Sequence, residues 1–136
     1  MPRFALLLRG VNVGGHNRLP MRDLATILTE LGCTSVATYI QSGNAVFDTA
    51  SRTAKTLPEA VSAAIEARLG FRPPVTLRTR DELDSVLAHC PFATPQESVH
   101  VAFLAAQPTA DAIAALDPER FAPDAFEVRG REVYLY

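Results

Sequence analysis

An α+β fold is what the amino-acid sequence predicts, on three observations. Short apolar runs suited to buried strands are interleaved with segments whose apolar residues recur every three or four positions. Glycines and prolines mark the joints between them. Over residues 1–79 the elements fall in the order strand, helix, strand, strand, helix, strand, which is the split β-α-β, or ferredoxin-like, arrangement. The chain therefore reads as a ferredoxin-like half over residues 1–79 and a second, similar but incomplete α/β half over residues 80–136.

The first strand is the apolar run Phe4 to Leu8, ended by Gly10. After a glycine-rich loop, Pro20 stands where a first helical turn tolerates it, Leu24, Ile27, Leu28 and Leu31 follow at helical spacing, and Gly32 supplies the stop. Val36, Thr38 and Ile40 alternate with Ala37 and Tyr39, Ser42 to Asn44 turn the chain, and Ala45 to Phe47 complete a hairpin. Thr49 to Thr56 is polar and reads as a loop; Leu57 to Leu69 carries Val61, Ala64, Ile65 and Leu69 on one helical stripe closed by Gly70. A strand over Val75 to Arg78 follows Pro73 and Pro74.

The second half opens with a helix over Arg80 to Ala88, where Thr79 and Glu82 have the spacing of a capping box. A loop through Cys90, Pro91 and Phe92 leads to a strand at Val99 to Leu104, a short helix at Thr109 to Leu116, and a hairpin of Ala125 to Arg129 with Glu132 to Tyr136 across Gly130. Against the first half, a closing helix and strand are missing. The expectation is truncation or completion by another chain and, because an uncovered sheet edge pairs readily, a homodimer.

Composition narrows the function classes. At 48% hydrophobic, 21% charged and formal net charge -2, the chain has an ordinary globular balance and not that of a strongly basic nucleic-acid binder. Its apolar runs are far shorter than the roughly 20 residues of a membrane helix. Cys33 and Cys90 lie far apart with no CxxC and no histidine at ligand spacing, so no metal or cofactor is expected and a reducing cytoplasm is the simplest compartment.

The stretch Leu7 to Pro20, LLRGVNVGGHNRLP, and the stretch Thr38 to Phe47, TYIQSGNAVF, resemble the uncharacterised bacterial family named domain of unknown function 1697. The likeness continues through Leu83, the CPF segment at Cys90 to Phe92 and the final hairpin, and so covers essentially the whole chain. The resemblance implies two ferredoxin-like halves and a chain that continues through another helix and strand. It implies no activity, cofactor or catalytic residue.

In the expected fold the two motifs meet at one end of the sheet. That gathers Arg9, Asn12, Gly14, Gly15, Asn17 and Arg18 beside Gln41, Ser42 and Asn44, a polar cluster without a carboxylate. Glycines let a ligand approach the main chain, and arginine forks match phosphate or carboxylate oxygens, so a small anionic ligand such as a nucleotide or phosphorylated metabolite is the expected guest. The first 22 residues hold Arg3, Arg9, Arg18 and Arg22 and no acidic residue. Against this stands the plainer reading that Gly10, Gly14 and Gly15 permit turns and Asn12, Asn17 and Asn44 satisfy loop hydrogen bonds.

Named phosphate motifs fail: no GK[ST] follows the loop, and GVNVGG lacks G-x-G-x-x-G spacing. An enzyme using the same pocket would rely on Arg9 or Arg18 for developing negative charge and on His16 for a proton. Ser42 lacks the G-x-S-x-G elbow, and Cys90 with His89 or His100 is no more than adjacency in sequence. An RNA-recognition module shares the strand order, but Phe4 and Phe47 read as core residues and Lys55 is the single lysine, so RNA binding or scaffolding by a dimer stays the weaker alternative.

Overall fold

The computed structural model describes residues 1–92 and 98–136. Among these the chain is a mixed α/β protein with two antiparallel sheets and four helices, divided into a unit over Met1–Leu83 and a unit over Asp84–Tyr136.

In the first unit, β1 (Arg3–Leu8), α1 (Met21–Glu30), β2 (Thr34–Tyr39), β3 (Asn44–Asp48), α2 (Ser51–Leu69) and β4 (Val75–Thr79) succeed one another, and the sheet order is β2-β3-β1-β4. Every neighbouring pair is antiparallel. The side-chain period of two decides what is buried: Phe4, Leu6 and Leu8 of β1 and Ala45 and Phe47 of β3 are buried, while Ala5, Leu7 and Val46 between them are half-buried or exposed. Leu24, Ile27 and Leu28 of α1 and Leu57, Val61 and Ile65 of α2 complete that core, and the Phe4 and Phe47 rings stack at 6.3 Å.

α1 ends as its sequence dictates. Gly32 takes φ 95°, its amide donates to the Thr29 carbonyl at 3.1 Å and the Cys33 amide donates to the Leu28 carbonyl at 3.0 Å, the paired bonds of a Schellman stop. α2 departs from expectation. It starts at Ser51 and absorbs the segment read as a loop, with Pro58 inside the helix. A proline there removes one hydrogen bond and crowds the preceding turn, which hides the helix from propensity reasoning. Burial of Leu57, Val61 and Ile65 at four-residue spacing offsets that cost, since each buried aliphatic side chain contributes about 1.5–3 kcal/mol.

α3 (Arg80–Ala88) opens on the expected capping box: the Thr79 amide donates to Glu82 Oε1 at 3.0 Å and the Glu82 amide to Thr79 Oγ1 at 3.1 Å. The second unit contains β5 (His100–Phe103), α4 (Ala110–Ala114), β6 (Phe126–Arg129) and β7 (Glu132–Leu135), and its three strands form an antiparallel sheet of order β5-β7-β6. α4 carries its cap at Thr109, whose hydroxyl accepts from the Ala112 amide. The Tyr134 hydroxyl donates to the Val86 carbonyl at 2.6 Å, fixing the C-terminal part of α3 to this sheet.

Two outcomes follow for stability. Leu6→Ala removes a fully buried β1 side chain from the core that also holds the buried residues of α1 and α2 and should lower the unfolding free energy by about 2–5 kcal/mol in urea titration. Burial raises the Cys33 thiol pKa against a weaker lowering by Thr49. The native state then holds its proton longer than the unfolded chain, so this stability is fully present below the ordinary thiol range and is lost as pH rises through the folded pKa. Cys33→Ala should flatten the alkaline limb of a plot of unfolding midpoint against pH.

Candidate functional site

The strand order sets the geometry. β1 and β2 flank β3 and both run antiparallel to it, so they run parallel to each other, and loop 9–20 after β1 leaves the sheet at the same end as turn 40–43 after β2.

Two packed contacts join loop and turn. The Leu8 amide donates to the Gly43 carbonyl at 3.0 Å. A side chain on Gly43 would place its Cβ 2.7 Å from Val11 Cγ2 and 2.8 Å from Leu8 Cβ, with φ at 88°, so only glycine fits both the space and the backbone. The loop is pegged from below by Val11 and Leu19, both buried.

Asn12 does the rest. Its Nδ2 donates to the Leu19 carbonyl at 2.9 Å and to the Gln41 carbonyl at 2.6 Å, and its Oδ1 accepts from the Leu19 amide at 2.8 Å. One carboxamide thus pairs with both backbone groups of Leu19, as a strand would, and reaches across to the hairpin. Beyond it the loop forms a miniature hairpin. The Asn12 amide donates to the Asn17 carbonyl and the His16 amide to the Val13 carbonyl, both at 3.0 Å, with Gly14 at φ 58° and Gly15 at φ 75° as a type I′ turn requires. Asn17 Nδ2 donates to the Gly10 carbonyl at 3.0 Å, and Asn44 Nδ2 to Ser42 Oγ at 2.8 Å.

An open depression of about 480 Å³ lies against this junction, lined by Asn12, Arg18, Pro20, Met21, Arg22 and Gln41. Of the candidate residues, then, Asn12, Arg18 and Gln41 line it. Arg9 is exposed and its amide donates to the Pro74 carbonyl, while Gly14, Gly15, Asn17, Ser42 and Asn44 shape the two turns. Pro20, Met21 and Arg22 were not among the candidates; for Arg22 the signal was the acid-free first 22 residues. The depression borders the first turn of α1, whose Pro20 cap makes no side-chain hydrogen bond. Positive helix-end charge adds to Arg18 and Arg22, and Asp23 in the first turn offsets part of it. Guanidinium forks of this kind hold an oxyanion, and the Gln41 amide can donate or accept beside them.

The other reactive side chains considered, His16, His89 and Cys90, do not line this depression. His16 is exposed on the glycine turn. His89 Nδ1 lies 2.7 Å from the Ser85 carbonyl oxygen, and Cys90 Sγ contacts the Phe92 carbonyl at 3.8 Å. Among the described residues no three His, Cys, Asp or Glu side chains are grouped to hold a metal ion, and no helix is long and apolar enough to cross a membrane. The second unit has its own depression of about 450 Å³, where His100, Leu135 and Phe126 align across β5, β7 and β6 with Phe121, Asp124 and Tyr136 beside them.

A conserved bacterial protein from Streptococcus pneumoniae has a similar solved structure, with a TM-score of 0.79 and 24% sequence identity, covering 98% of this chain and 76% of that one. At that identity the likeness speaks to fold alone. No curated protein matches the chain. The family described as "Protein of unknown function (DUF1697)" matches residues 1–134.

Removing either contact should loosen the junction. Asn12→Ala strands the Leu19 amide and carbonyl and is expected to cost about 2–4 kcal/mol, with faster amide exchange at Leu19 by NMR. Gly43→Ala combines a left-handed backbone with overpacking and should cost a similar amount, about 2–4 kcal/mol in denaturant titration. An unchanged unfolding midpoint in either variant would remove that contact from this account.

Proposed function

Because the chain belongs to the DUF1697 family, which is described without an activity, we propose from its own geometry that it binds a small anionic ligand, a nucleotide or phosphorylated metabolite, where loop 9–20 meets hairpin 41–44. The observation that carries the reading is the depression in which Arg18 and Arg22 stand together beside the Gln41 amide at the start of α1. Arg18 and Arg22 supply the charge, and Arg9 is exposed at the start of the same loop. Asn12, Asn17, Ser42 and Asn44 hold the two turns in place through the hydrogen bonds described, and Gly14 and Gly15 give the loop its shape.

The first unit is read here as ferredoxin-like, supported by its antiparallel β2-β3-β1-β4 order. The order β5-β7-β6 repeats the β1-β3-β2 part of that pattern and supports a second, related half. Two free thiols, Cys33 and Cys90, fit a reducing bacterial cytoplasm. Exposed Phe121, Leu135 and Tyr136 on the second unit are the surface through which a homodimer would form. The enzyme alternative asks His16 to move a proton, but His16 stands on the glycine turn and is not among the described lining residues, so binding without turnover is the better-supported reading.

Titrating phosphate and pyrophosphate while following thermal unfolding tests this. Wild type should gain about 5–10 °C in Tm at a hundredfold excess over Kd, with the gain shrinking as ionic strength rises. The double variant Arg18→Ala, Arg22→Ala should show no gain. An equal gain in wild type and variant would move the anion elsewhere.

A further inference from the structure

We infer that two copies of this chain pair edge to edge along β6, antiparallel about a twofold axis at Val128, with Glu127 of each opposite Arg129 of the other. The inference rests on the homodimer reading above and names its contact.

The backbone of β6 is the first observation. In the order β5-β7-β6 it has a neighbour on one side only. The Ala125 amide donates to the Tyr136 carbonyl and the Tyr136 amide to the Ala125 carbonyl, both at 2.8 Å. Bonded pairs alternate along an antiparallel ladder, so Glu127 with Tyr134 and Arg129 with Glu132 are bonded in the same way. Phe126 and Val128 therefore turn amide and carbonyl outward, where no described residue takes them up. β2, at the edge of the first sheet, is blunted: its register shifts between Thr34 and Ala37, with Ser35 at φ 51°. β6 keeps its register over all four residues.

Charge then selects the partner and the register. Glu127 and Arg129 are two residues apart, so they share a face; they form an ion pair, and their side chains are 44% and 46% exposed. Arg129 Nη1 also donates to the His89 carbonyl at 2.7 Å. Charges of a single sign on an edge strand repel a second copy, whereas opposite signs two residues apart complement it. An axis at Glu127 would set carboxylate against carboxylate, and one at Arg129 guanidinium against guanidinium. An axis at Phe126 would set Arg129 opposite Pro123, outside the strand. At Val128 each carboxylate lies between the arginine of its own chain and that of the second copy.

The same axis joins apolar surface. On the other face Phe126 aligns with exposed Leu135, and Val128 with Val133, so the two half-open faces continue into each other across the paired valines. The product is a six-stranded sheet with an isologous contact. An unrelated extended peptide could meet the outward amides, but the charge match belongs to a second copy of this strand.

The test is sedimentation equilibrium on the full chain, with amide exchange by NMR at low and high protein concentration. Wild type should pass from monomer to dimer mass as concentration rises toward the millimolar range, and the Val128 amide should exchange more slowly in the dimer. Glu127→Arg and Arg129→Glu should each weaken the dimer about tenfold. Mixing the two variants should restore it, because every charge then faces its opposite across the axis; a loss caused by misfolding would not recover in the mixture. Val128→Pro removes the outward amide, leaves the bonds to β7 in place and should abolish the dimer. Failure of the mixture to recover overturns the inference. A dimer indifferent to all three substitutions but lost with Phe121→Ser keeps the homodimer reading and discards the β6 contact. If the mass stays monomeric throughout, both readings fall together.

Discussion

The Asn12 carboxamide is the interaction on which the geometry of this molecule's loop end depends. It satisfies the Leu19 amide and carbonyl and donates to the Gln41 carbonyl. Leu19 is wholly buried, so without Asn12 two backbone groups at a core residue would lose their partners. Loop length alone could not set the position of Arg18. It sits one residue before Leu19, and its place is fixed by the same hydrogen bonds that seat that residue. The charge at the depression is therefore positioned by a neutral side chain that carries none.

Strand order makes this latch possible. With β3 between β1 and β2, the segments after β1 and after β2 emerge together although 29 residues separate Asn12 from Gln41. Gly43 then brings the hairpin close enough for the Leu8 hydrogen bond, at a distance no other residue allows. The basic end of a mildly acidic protein arises in the same way. Arg18 and Arg22 are close in sequence, and the nearest carboxylate along the chain, Asp23, is drawn into the first helical turn.

Much of the first unit was legible in sequence, for identifiable reasons. α1 carries its apolar stripe and a glycine in the left-handed position its stop requires, and α3 carries both members of its capping box. These are local signals, complete within a few residues. The first turns of α2 were not legible, because Ser51 to Thr56 is polar and Pro58 argues against a helix, whereas the packing of Leu57 and Val61 that decides the matter is tertiary. The gathering of Asn12 and Gln41 followed from strand order. The part played by each did not, since a turn-forming asparagine and a latch have the same sequence. The wall contributed by Pro20, Met21 and Arg22 was missed because it is the shoulder of a helix, and periodicity marks those residues only as its beginning.

Gly43 has a consequence for how such a surface can change over time. Since Leu8 and Val11 close over the hairpin at the one point where no side chain fits, turn 40–43 and loop 9–20 cannot drift independently. A residue inserted in either would shift Gly43 against β1 or pull Asn12 off Gln41. Variation in the lining of the depression is thus channelled into side-chain identity at fixed backbone positions, and a graft that transplants one segment without the other would carry half of a paired part.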